Sequence, residues 1–156
     1  MSFHLAQANI AMLLAPPADP SMVGFTSRIE EIYALAERHK GFVWRLPDTE
    51  TSPATLEPFE ADFPGFQRDR FLYNMSVWET FEDLRDYTFG TAHAELLNNR
   101  REWIERVEGA SVALWWVPIG HRPTIAESAE RLRHIRKNGP TRYAFTLRKF
   151  FAADYA

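Results

Sequence analysis

The order of hydrophobic patterns along these 156 residues predicts an α+β protein built on a four-stranded antiparallel sheet. Phe71, Tyr73, Met75 and Val77 alternate with Leu72, Asn74, Ser76 and Trp78, the period of two that marks a strand with two distinct faces. Met22, Phe25, Ile29, Ile32, Tyr33 and Ala36 recur at helical spacing. Trp115 and Trp116 are neighbours in an apolar run from Ser111 to Val117, so as strand residues they point to opposite faces.

Phe3 to Ile10 reads as the first strand, with Phe3, Leu5, Gln7 and Asn9 on one face. Asp19 before Pro20 reads as a helix cap and first helical position, and that helix runs to about Arg38 and stops at Gly41. Phe42 to Leu46 is a second strand. From Pro47 to Asp69 the chain carries four prolines and six acidic residues, too long for an ordinary hairpin loop. This Pro-rich acidic insertion (46–69) reads either as a surface elaboration or as a lid over a pocket. Arg70 to Trp78 is the third strand. Thr80 caps a short helix through Tyr87, Gly90 breaks it, and a second helix is expected from Thr91 to about Glu108. After the fourth strand, 123–156 holds an extra C-terminal helix, with Thr124 and Glu127 spaced as a capping box, and an extended tail.

The order is β-α-β-β-α-β, a ferredoxin-like antiparallel sheet with both crossover helices on one face, within a single domain over 1–156. The paired tryptophans imply that the other face is covered too, and a second subunit is the expected cover.

A net charge of -3 and a pI near 6.0 give no basic patch for a nucleic acid. No apolar run is long enough to span a membrane, and the N-terminus lacks the basic region of a signal peptide. With no cysteine, thiolate ligands and nucleophiles are excluded, and a cytoplasmic location is expected. No histidine pair has zinc-ligand spacing, and no P-loop, dinucleotide or nucleophile-elbow motif occurs.

Candidate chemistry concentrates between Val77 and Thr124. On the expected 91–108 helix, Leu96, Leu97, Trp103, Ile104 and Val107 form an apolar face. His93 and Arg100 fall within it, about 10 Å apart along the axis. Either His93 bonds a backbone carbonyl while Arg100 reaches water or a carboxylate, or His93 is a proton shuttle or haem ligand at a pocket edge with Arg100 holding an anionic ligand group. Gln7 and Asn9 on one strand, and Asn74 and Ser76 on another, either face water or line a cavity. Trp44, Trp78 and Trp116 are core or ligand walls. His121 and Arg122 bind an anion or merely form a loop, and His39 and His134 are placed on solvent faces.

The stretches Val77-Trp78-Glu79, His93 to Trp103 (HAELLNNRREW), LWWVPIGHRPT and HIRKNGPTRYAFTLRKF resemble the bacterial domain-of-unknown-function family 3291. The resemblance implies a dimeric α+β barrel, in which two ferredoxin-like subunits pair their sheets. A more distant similarity links the chain to antibiotic-biosynthesis and haem-degrading monooxygenases. Their sites use an Asn on the first strand, a Trp on the short helix after the third strand and a His on the next. Here Asn9 (or Gln7) and His93 take the first and third places. The second falls on Tyr87, a phenol in place of an indole, and the spacing to His93 is about one helical turn shorter. The expectation is a homodimeric, monooxygenase-like enzyme acting on an aromatic or polycyclic small molecule, with haem a possible cofactor. His93, Asn9 and Tyr87 would be catalytic, and Arg100, Gln7, Asn74, Trp78, Trp103 and Trp116 would bind the ligand. The alternative is a non-catalytic ligand-binding or stress-related module with the same pocket.

Overall fold

A computed structural model describes residues 2–52, 55–63, 65–106 and 108–153. Four strands, β1 (Phe3–Met12), β2 (Phe42–Arg45), β3 (Phe71–Trp78) and β4 (Val112–Pro118), form one antiparallel sheet in the order β2-β3-β1-β4. β1 is central. Its register sets Gln7 opposite Ser76 and Asn9 opposite Asn74 on β3, and Gln7 opposite Leu114 and Asn9 opposite Val112 on β4. Directly opposed side chains on one face lie about 5 Å apart. The four polar residues therefore form a single block.

One face of the sheet carries α1 (Val23–Arg38), α3 (Phe81–Gly90) and α4 (Ala92–Asn98). α1 begins as a short 3₁₀ turn at Pro20–Met22, where the Asp19 carboxylate accepts from the Ser21 N–H at 2.9 Å. It ends before Gly41, whose φ of 82° suits glycine and where a Cβ would overlap the Asp83 carboxylate. Leu5, Trp78 and Leu114 pack here against Phe25, Ile32 and Ala36 of α1 and Leu84, Tyr87 and Leu96 beyond.

The opposite face is covered by α5 (Ile125–Asn138) and by the segment around α2 (Glu57–Glu60). Ala6, Ala8 and Ala113 let α5 approach closely, and Ala129, Leu132 and Ile135 fill the space with Met75 and Trp115. The expectation that a second subunit covers this face rested on the chain having no cover of its own. α5 and Phe59 and Phe63 of the insertion supply one. The insertion is thereby split: Leu56, Phe59, Phe63 and Phe66 pack here, as the Phe66 ring rests 4.6 Å from the Phe71 ring, while Asp48 and Thr51 at its beginning border the first face.

Two expectations are corrected. The 91–108 helix ends at Asn98 and gives way to a 3₁₀ turn at Arg100–Glu102. Asn99 turns its Nδ2 back onto the Glu95 carbonyl at 3.1 Å. The following backbone then pairs with the end of β1, Leu14 N–H to Trp103 O at 2.7 Å and Glu105 N–H to Met12 O at 2.8 Å. Tertiary pairing has overridden helical periodicity. Nor do His39 and His134 idle in solvent. His39 packs edge-on against Trp78 and Tyr87, and His134 bonds Thr141 at 2.7 Å. Among the described residues no helix is long and apolar enough to cross a membrane.

Candidate functional site

Between the sheet and the α1/α3/α4 layer lies a cavity of about 450 Å³, a size suited to a small organic ligand. Its floor is the polar block on β1 and β3. Gln7 Nε2 donates to Asn74 Oδ1 at 3.0 Å and to Ser76 Oγ at 2.8 Å, and Trp78 Nε1 donates to the same Ser76 oxygen at 2.9 Å. Ser76 Oγ thus accepts twice, which leaves its own proton to donate. The Asn9 amide has no side-chain hydrogen bond among the described residues. The strand places these groups on one face by its period of two, and the register stacks them.

The wall and roof come from the helices. Phe25, Ile29 and Ile32 of α1 and Leu96 and Leu97 of α4 make them apolar. His93 enters at the first turn of α4, which Thr91 caps by accepting the His93 N–H at 3.2 Å. Its ring Nδ1 lies 3.1 Å from the Thr88 carbonyl. A carbonyl only accepts, so Nδ1 carries the proton and the neutral ring presents the Nε2 lone pair. Nε2 has no partner among the described residues. Burial is the main influence on this imidazole and pushes its pKa below the usual value, outweighing the Thr88 bond, which favours the charged form.

Tyr87 lines the cavity beside His93, with ring centroids 5.1 Å apart, and stacks on Trp78 at 5.1 Å. Its hydroxyl, however, donates to the Ile32 carbonyl at 3.0 Å and so ties α3 to α1. Arg100, expected at mid-helix on the apolar face, instead sits in the 3₁₀ turn at the cavity rim. It is exposed, with Nη1 donating to the Leu97 carbonyl at 2.7 Å.

The cavity thus gathers His93, Asn9, Tyr87, Arg100, Gln7, Asn74 and Trp78. Trp103 and Trp116 stay outside it. Trp103 is buried against Phe25 and under α1, where a Cβ on Gly24 would lie 3.1 Å from its ring. Trp116 is walled off by the C-terminal tail: its Nε1 donates to the Phe151 carbonyl at 2.8 Å, and Phe145 exchanges both backbone hydrogen bonds with Leu114 at 2.8 Å. Trp44 packs toward the α5 face, with Arg122 over its ring at 5.7 Å. His121 is held by Glu127 at 2.9 Å.

Tyr33, Arg45 and Arg101 also line the cavity, and sequence reasoning missed them. Tyr33 was counted in the apolar stripe of α1. Its hydroxyl has no partner among the described residues, and Arg45 lies over its ring at 4.4 Å. Burial, helped by Asp48 and opposed by Arg45, pushes the phenol up to about 12, so it remains a donor. A polar tip in an apolar stripe was the available signal. Arg45 had none, because its role depends on where β2 joins the sheet.

Among the described residues no cluster of three or more His, Asp or Glu could hold a metal ion. The site is a cavity in an α+β scaffold, with a neutral imidazole on one wall and, on its floor, the hydrogen-bonded amides of Gln7 and Asn74 beside the unbonded amide of Asn9. The chain belongs to the family described as Domain of unknown function (DUF3291), whose model matches residues 4–156. No curated protein and no solved structure matches it.

Proposed function

We propose that this chain is a small monooxygenase-like enzyme that holds an aromatic or polycyclic molecule in the cavity and uses His93 as its base. The observation that carries this reading is the committed Nδ1–H of His93, which leaves Nε2 as an unpartnered proton acceptor facing an apolar-walled space. The floor amides of Asn9 and Asn74 would orient a ring hydroxyl or carbonyl. His93 would take a proton from the ring system and raise its electron density toward dioxygen. In balanced form, a ring CH₂ and O₂ yield a ring C=O and water, and the substrate supplies all four electrons.

The donor types also fit a haem: His93 Nε2 would hold its iron, and Arg100 with Arg101 would hold its carboxylates. A bound haem would supply dioxygen binding and activation.

Oxygen uptake with anthrone as the probe tests the enzyme. His93→Gln is expected to lower turnover by about 10²–10⁴-fold, the usual contribution of a general base. Absence of turnover in the wild type, with saturable quenching of tryptophan fluorescence, would overturn it in favour of a non-catalytic binder. The Tyr87 hydroxyl, already spent on the Ile32 carbonyl, favours that second reading. Failure of added haem to give a Soret band that His93→Ala abolishes would remove the haem version.

The strand order, with α1 and the α3–α4 pair on one face, supports a ferredoxin-like architecture. A dimeric barrel would pair the faces that α5, Phe59 and Phe63 now cover, so it requires these groups to pass to the partner's sheet. Light scattering is expected to give a dimer for that exchanged form. A monomer would overturn it.

A further inference from the structure

The charges that line the cavity do not cancel. Arg45 gives its Nε to Glu37 at 2.8 Å and approaches Asp48 at 3.4 Å. The lining acid Glu105 is taken by Arg70 at 2.7 Å. Nearby, Arg28 of α1 holds Glu95 of α4 at 2.9 Å. His93 is neutral. Arg100 and Arg101 remain, and both line the rim and are exposed. Arg100 reaches only the Leu97 carbonyl, and Arg101 has no hydrogen bond or ion pair among the described residues. Glu102, next in the chain, makes no ion pair with either.

Two guanidinium groups are thus left uncompensated beside the apolar side chains Leu97 and Ile104, while three other arginines in and around this layer have each found a carboxylate. An arginine cannot shed its charge, and its planar fork matches the two oxygens of a carboxylate. The wall behind the rim is apolar, and the floor offers neutral donors and acceptors rather than charge.

We infer that the ligand of this cavity is an aromatic carboxylate, its ring against Leu96, Leu97 and Ile104 and its carboxylate held at the rim by Arg100 and Arg101. The assignment rests on the cavity being the ligand site. It adds the chemical class of the ligand and a role for Arg101. Because the rim is wet, the charge contributes selectivity and encounter rate more than raw affinity, and it weakens with salt.

Calorimetric titration with 2-naphthoate and with 2-naphthamide, nearly the same shape and differing in charge, tests this. The wild type is expected to bind the acid about tenfold more tightly at low salt, about 1.4 kcal/mol, with the preference shrinking as salt rises. In the Arg100→Gln/Arg101→Gln double variant the preference is lost while affinity for the amide stays unchanged, which also shows that the variant is folded. Equal binding of acid and amide by the wild type overturns the carboxylate assignment and leaves the cavity reading standing. A preference that survives the double substitution overturns the role of the two arginines. Binding of neither probe overturns the cavity reading, and the inference with it.

Discussion

On the α5 side of the sheet, the polar tips that the strands send into the interior are spent. The Tyr73 hydroxyl meets Ser128 Oγ at 2.6 Å, Ser128 donates on to the Ile125 carbonyl at 2.7 Å, and Trp115 Nε1 donates to Glu127 at 2.9 Å. On the α1/α3/α4 side, Asn9 and the Tyr33 hydroxyl have no partner among the described residues, and Gln7 bonds only toward β3. The same strands supply both faces, so composition alone does not explain the difference. A buried polar group without a partner costs about 1–3 kcal/mol. The Asn9 amide and the Tyr33 hydroxyl belong to half-buried residues and are not sealed from solvent. This face therefore keeps them for water or a ligand, a pattern expected where binding is selected over packing. The buried unpartnered side-chain nitrogens among the described residues lie instead on α5, at Arg131 and Arg136.

The largest effect should come from breaking the closed face. Trp115→Ala removes the largest side chain under α5 and takes one donor from the Glu127 carboxylate, which keeps His121, and should cost about 3–5 kcal/mol. Urea unfolding followed by circular dichroism measures it. A cost below about 1 kcal/mol would show that α5 is loosely seated and that this face could be vacated for a partner. The open face should answer in the opposite sense. Asn9→Leu replaces an unpartnered amide with an apolar group of fitting size and should leave stability unchanged or raise it by up to about 1 kcal/mol, while weakening ligand binding or turnover. A loss of more than about 1 kcal/mol on the same urea assay would mean that the cavity is filled core.

The strands, α1 and α5 were legible because their periodicities are strong and their caps conventional, as Thr124 and Asp19 show. The convergence of His93, Asn9 and Asn74 was legible because each breaks an apolar pattern locally. What was not legible depends on contacts distant in sequence. The end of α4 is set by Met12 and Leu14, some ninety residues earlier, which claim the backbone of 103–105. The removal of Trp116 from the cavity is set by Phe151 in the tail. Cover of the second sheet face was assigned to a partner because nothing in the amphipathic stripe of α5 says which face it will occupy. Tyr33 was hidden by its own ring, which satisfies the apolar stripe while its hydroxyl does not.

The finest distinction between the faces is electrostatic. His93 is held neutral, and burial lowers its pKa in the folded protein, whereas the unfolded chain titrates near the usual value of about 6.5. Below that value the unfolded state binds the proton more readily, so stability falls as pH drops from about 6.5 toward the folded value and the loss levels off beneath it. Glu127, on the other face, is shifted down although burial, its largest influence, raises its pKa: the bonds from His121 and Trp115, the charge of His121 and a backbone bond at Thr124 together outweigh burial. Its contribution is present above the ordinary carboxylate range and is lost as pH falls through the folded value. The two windows are separable. The urea midpoint of the wild type should decline between pH 7 and 5.5 relative to His93→Gln, and the two curves should run parallel above pH 7. If the two proteins decline together, the ring is hydrated in the folded state, and His93 would enter the reaction from solvent and not as a desolvated base.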